Sequence, residues 1–157
     1  MHYIIPCIAA FCACIGFSLI YQIRGIKIVI AAFCGAFAWA VYLLAADGLG
    51  MSGLAAYFLA GGAAALYSEL TAMCYHMPVT VCLIPGIIPT VPGLTIYRTM
   101  RECLLGNAES FIAGGIETLK IGGAIALGLI LISSCFRILR AALSRWKQGK
   151  NFLHGAE

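Results

Sequence analysis

The side chains that could do chemistry in this chain are few, and they sit in apolar company. Glu69, Glu117 and Lys120 fall within runs hydrophobic enough to enter a bilayer, and between them lies HMPVTVCLIPGIIPTVPGLTIYRTMR, residues 76–101. An ionised group inside a span costs at least about 2–3 kcal/mol, so such residues pair or serve a pathway. Glu117 and Lys120 stand three apart, share a helix face and can neutralise each other. Glu69 has no basic residue at helical spacing. It is the first candidate for a coupling residue, since a carboxylate in low dielectric takes up a proton readily. Glu117 is the second.

The chemistry of the intervening stretch lies in its backbone. Pro85, Pro89 and Pro92 each lack an N–H and clash with the carbonyl four residues earlier. They also bias Ile84, Ile88 and Val91 away from α geometry. A helix through this region would leave the carbonyls of Val81, Pro85 and Ile88 without donors, and Gly86 and Gly93 loosen it further. In hydrocarbon such a break survives only where protein or a water-filled cavity surrounds it. Half-helices meeting at a polar break form the substrate site of many secondary transporters. A proline-kinked structural span, or an interfacial loop with no ligand, would use the same residues. In the first case Pro92 suits the opening position of the second half-helix. The N–H groups of Gly93, Leu94 and Thr95 would then seat a carboxylate, and the freed carbonyls would suit an ammonium group or a cation. A ligand with a second anionic group would need a basic residue as well, such as Arg98.

The elements that must hold this stretch are membrane spans. Hydrophobic residues make up 62% of the 157 positions, charged ones 10%, and the mean hydropathy is +0.99. A soluble domain carries roughly a quarter charged residues, so the composition predicts an all-α polytopic membrane protein. Five spans are expected: Tyr3 to Tyr21, Ile28 to Ala46, Ser52 to Tyr75, the broken segment, and a last span from near Phe111. The first is read as retained, because Met-His-Tyr is not the charged start of a signal peptide. The spans form one domain over residues 1–138, and residues 139–157 form a basic amphipathic tail.

Arg24 and Lys27 follow the first span, and Arg137, Arg140, Arg145, Lys147 and Lys150 follow the last. With five crossings both groups share one side, which the positive-inside rule makes cytoplasmic, with the N-terminus outside. A re-entrant fourth segment would put the basic tail on the wrong face. The net charge of +4 is therefore a topology signal and not a nucleic-acid footprint. Small residues recur every four positions at Ala56, Ala60, Ala64 and Ser68, and at Gly114, Thr118, Gly122 and Ala126. Such stripes let helices approach closely within a subunit or dock a partner; so few thin spans favour the partner. The cysteines fall mostly in apolar runs without C-x-x-C, which reads as small buried hydrophobes and not as metal or redox sites. No H-E-x-x-H, Ser/His pairing or paired Asp suggests an enzyme, and no cofactor or metal is expected.

The run Pro78 to Arg98 resembles the signature of the threonine/serine exporter family, in its small-subunit or C-terminal half. There a P-x-x-P-G element is followed by a Tyr one turn on, here Pro89, Pro92, Gly93 and Tyr97, with Pro78, Thr80 and Pro85 upstream. Glu69 stands where the family carries an acid near the end of the preceding span. The basic residues that often follow it are replaced by Leu70-Thr-Ala-Met-Cys-Tyr. The resemblance implies export of a small polar metabolite across the bacterial cytoplasmic (inner) membrane, either threonine or serine, or a succinate-type dicarboxylate. In the split form it also implies a larger five-span partner subunit. The break and the resemblance together give the candidate substrate-binding set: Pro85, Gly86, Ile88, Pro89, Thr90, Pro92, Gly93, Thr95, Tyr97 and Arg98. A membrane scaffold for a larger protein, never touching substrate, is the competing expectation.

Overall fold

A computed structural model describes residues 3–154, with side chains described through residue 142. Among the described residues six α-helices follow in order: α1 (Ile4–Ile20), α2 (Ile26–Leu43), α3 (Gly53–Tyr75), α4 (Thr80–Ile87), α5 (Gly93–Leu104) and α6 (Ala108–His154). A π-helical turn, Leu44–Gly48, prolongs α2, and a 3₁₀ turn, Ile88–Thr90, prolongs α4. No strand occurs among the described residues. Among the described residues two helices are long and apolar enough to cross a membrane, Ile26–Gly48 and Ala108–Ala142. The bent pair formed by α4 and α5 makes a third if it is one span. The 23 residues of α3 have the length to cross, but glycine, tyrosine, Ser68 and Glu69 dilute their hydrophobicity.

The interior is thin and built from small side chains. Ala56, Ala60, Ala64 and Ser68 are all completely buried, as the four-residue stripe on α3 predicts. Ala64 packs with Cys34 and Ala38 of α2, while the neighbouring Gly61 meets α6. A methyl group on Gly61 would lie 2.6 Å from the Ile125 carbonyl oxygen, and one on Gly128 would lie 2.8 Å from the Gly62 nitrogen. The two backbones touch, which is how helices associate where lipid supplies no hydrophobic drive.

On α6 the expected stripe is only half correct. Gly114 and Thr118 are partly buried, but Gly122 and Ala126 are exposed, and the seam continues through Ile121, Ile125 and Gly128. A strict four-residue step drifts around a helix of 3.6 residues per turn, whereas alternating steps of three and four stay on one side.

Contacts along this seam fix the relative direction of its helices. Phe58 and Gly62 meet Gly128, and further along both chains Glu69 meets Arg140. Positions rise together, so α3 and α6 run parallel. The segment between them must therefore travel back along the full length of α3. It turns at His76, whose left-handed φ of 51° ends α3, and later at Gly106, whose φ of 78° suits a residue without Cβ. The return path is α4, the break and α5.

Candidate functional site

The break lies beside the middle of the Ile26–Gly48 helix. Gly86 rests against Cys34, and Pro89 lies next to Gly35, which in turn touches Cys14 of α1. A methyl group at position 35 or 86 would overlap a cysteine sulfur, so the approach seen here depends on glycine at both. Between α4 with its 3₁₀ turn and α5 the axis bends by 54°. The proline-rich stretch thus yields two helical pieces meeting at mid-span, as its composition predicts.

Three details differ from expectation. First, α4 passes through Pro85 and stops only at Ile87. Second, Pro92 is the residue before α5, not its first turn, with φ −74° and ψ 57°. These angles are those of an inverse γ-turn, and accordingly the Gly93 N–H donates to the Val91 carbonyl at 2.7 Å. Only the first-turn donors of Leu94 and Thr95 remain unclaimed by backbone. Third, two of the three carbonyls expected to be freed, those of Pro85 and Ile88, are recaptured. The Pro85 carbonyl accepts the Ile88 N–H and the Cys14 thiol, the latter at 3.1 Å. The Ile88 carbonyl accepts the Val91 N–H at 3.2 Å. Thr90, 1% exposed, donates its hydroxyl to the Ile87 carbonyl at 2.7 Å. Short-range bonds and a neighbouring thiol satisfy what the missing N–H groups leave open, because an orphaned buried carbonyl is costly. The Pro85 and Ile88 carbonyls thus already have donors within the chain.

The acidic residues are also rearranged. Glu69 is not isolated: its Oε2 accepts from Arg140 Nη2 at 2.9 Å, and the same nitrogen lies 3.4 Å from the Glu69 carbonyl oxygen. The partner comes from α6, 71 positions away, so local spacing could not reveal it. Conversely, Glu117 and Lys120 form no ion pair. Glu69–Arg140 is the sole ion pair among the described residues. Of the cysteines, Cys14, Cys34 and Cys82 are buried as predicted, whereas Cys12, Cys74, Cys103 and Cys135 are exposed.

Glu117 instead faces α5. Thr95, Arg98, Thr99 and Glu102 of α5, with Ser110, Gly114 and Glu117 of α6, line a polar cleft of about 340 Å³. Gly114 forms its floor, in contact with Thr99, whose hydroxyl is spent on the Thr95 carbonyl at 2.8 Å. The helices can approach there only because position 114 has no side chain. Glu102 accepts a hydrogen bond from Asn107 Nδ2 at 2.9 Å, which steadies it beside the turn into α6. Arg98 and Glu117 have no ion-pair partner among the described residues.

The expected site residues therefore divide into groups. Pro85, Gly86, Ile88, Pro89 and Thr90 build the break, which packs on α1, α2 and α3, and Pro92 and Gly93 form the turn into α5. Thr95, Arg98 and Glu117 meet in the cleft, Tyr97 is 66% exposed, and Glu69 lies at the far end of the α3–α6 seam. Thr99, Glu102 and Ser110 escaped the sequence reading. Their signal was the i, i+4 and i, i+3 spacing of Thr95, Thr99 and Glu102 on one face of α5.

A protein-family model described as "Threonine/Serine exporter, ThrE" matches residues 6–135. No curated protein and no solved structure matches the chain.

Proposed function

The chain belongs to the threonine/serine exporter family, which is a family of transporters and not of enzymes, and from that premise we propose that it is the short subunit of a split secondary transporter. It works with a larger five-span partner to export a small polar metabolite, a threonine- or serine-type amino acid or a succinate-type dicarboxylate, across the bacterial cytoplasmic membrane. Its five crossings are α1, α2, α3, the α4–α5 pair and α6, with the basic tail in the cytoplasm.

The observation that carries this reading is the broken return path between two parallel helices. Because α3 and α6 run in the same direction, the α4–α5 segment is best read as a full crossing and not as a re-entrant loop. A unit with an odd number of crossings can pair with a second unit of opposite orientation, the inverted repeat from which many secondary transporters are built. The 54° bend at mid-span is the joint at which one such unit rocks.

The hydrogen bonds that close the break at Pro85 and Ile88 favour a hinge role for the prolines over a seat for substrate. They equally suit a scaffold subunit that carries no substrate, so the test must measure transport. Proteoliposomes holding this chain, the larger subunit or both are loaded with labelled threonine or succinate, and efflux is followed. Efflux is expected only with both chains. Full efflux from this chain alone would overturn the split-subunit reading, and efflux fully supported by the partner alone would favour the scaffold.

A further inference from the structure

We propose that the cleft between α5 and α6 is a binding site for a small zwitterion, with Arg98 holding its carboxylate and Glu117 and Glu102 its ammonium group; the assignment rests on the transport reading above. Three observations lead here. The cleft has a volume of about 340 Å³, within the range of small-molecule sites. It brings together one guanidinium, two carboxylates and the hydroxyl of Ser110. Finally, Arg98 and Glu117 line the same space from different helices yet do not come within ion-pair distance, and neither has another ion-pair partner among the described residues.

Opposite charges that share a cleft without meeting leave room for a ligand carrying both. Arg98 offers a planar fork that matches a carboxylate with two parallel hydrogen bonds. The carboxylates of Glu117 and Glu102 accept from an ammonium group, and Asn107 already orients Glu102 through its Oε2. The formal charge of the lining is −1, from one arginine and two glutamates. A neutral zwitterion adds no net charge to it. A dianion satisfies Arg98 with one carboxylate but brings the other toward two glutamates, and like charges at this range repel. The cleft therefore selects against dicarboxylates.

The break supplies the means of opening and closing the site. Among the described helices α5 packs on α6 alone, and it joins the rest of the return path only through Val91 and Pro92. Bending at that joint changes the width of the cleft without disturbing the α3–α6 seam.

The test uses the full-length chain with its larger partner in proteoliposomes, with L-threonine, L-threonine methyl ester and succinate as probes. Wild-type protein should export L-threonine and be inhibited at least tenfold more weakly by the ester, which lacks the carboxylate, and by succinate. Arg98→Gln and Glu117→Gln should each raise the half-saturating threonine concentration at least tenfold, while Arg98→Lys, which keeps the charge, should raise it less. Both residues are exposed, and co-purification of each variant with the partner checks assembly. Export of threonine with unchanged half-saturation in both glutamine variants would overturn the cleft assignment and leave the transport reading standing. Wild-type export of succinate in preference to threonine would overturn the zwitterion. No export of either probe by the wild-type pair would instead defeat the transport reading itself.

Discussion

Gly128 is the position where one added methyl group has the clearest cost. A β-carbon added there would overlap the Phe58 carbonyl oxygen and lie 2.8 Å from the Gly62 nitrogen, so a side chain meets backbone that cannot rotate away. Gly128→Ala should lower stability by about 1–3 kcal/mol, the usual cost of overfilling a packed interface. Gly122→Ala, with nothing within 4 Å of its new methyl group, should cost nothing and slightly favour the helix. Thermal unfolding of the two variants in detergent would separate them; equal effects would mean the seam is misplaced. Glu69 and Arg140 can be treated the same way. The carboxylate is 10% exposed but the guanidinium 45%, so the pair is worth about 1 kcal/mol, not the several of a fully buried one. Glu69→Gln and Arg140→Gln should each cost that amount, and the double variant should cost less than the sum. At this scale the sequence was least legible. It singled out Glu69, Glu117 and Arg98 as candidates, but Arg140 reaches Glu69 across 71 positions, and Glu117 lines the cleft with α5 and forms no ion pair with Lys120. Helical spacing says which side chains share a face, not what stands opposite that face.

The helical pieces of the return path were legible because proline chemistry is local. Missing N–H groups and restricted neighbours predict a break wherever they occur. What replaces the lost bonds depends on geometry that no local rule supplies: the inverse γ-turn at Pro92, the thiol of Cys14 on the Pro85 carbonyl, the hydroxyl of Thr90 folded back on Ile87. The consequence is that the prolines set an angle and do not expose acceptors. Replacing Pro89 and Pro92 together with Ala removes two ring clashes and restores two donors, each favouring a continuous helix by about 3 kcal/mol. Residues 80–104 would then form one rod about 37 Å long at 1.5 Å per residue. Spin labels at Thr80 and Leu104, in a background with the exposed cysteines replaced, should report a longer separation in the double variant than in the parent, which is bent by 54°. Straightening should also draw α5 away from Gly114 and open the cleft, so on the proposed function export should fail while the chain still assembles with the proposed larger subunit. An unchanged distance would mean that packing on α2 and α6, and not the prolines, holds the bend.

For the whole molecule, direction is the property from which the rest follows. Basic residues after the first and last spans predict one topology from charge alone, and the parallel seam of α3 and α6 supports the same topology from packing alone. The two arguments share no residue except Arg140, which ties Glu69 at the end of the seam where the basic residues gather. The later basic residues, Arg145, Lys147 and Lys150, have side chains outside the described residues, so their part rests on sequence. If both arguments hold, the turn from α5 into α6 and the start of the tail lie on opposite faces of the membrane. Single cysteines at Asn107 and Ser144, in a background lacking the exposed native thiols, report this directly. In intact cells an impermeant maleimide should label position 107, and it should label position 144 only after the membrane is breached. Labelling of position 144 and not of position 107 from outside would make the α4–α5 pair re-entrant. Glu69 and Arg140 would then no longer mark a cytoplasmic end, and the inverted pairing with a larger subunit would lose its geometric basis.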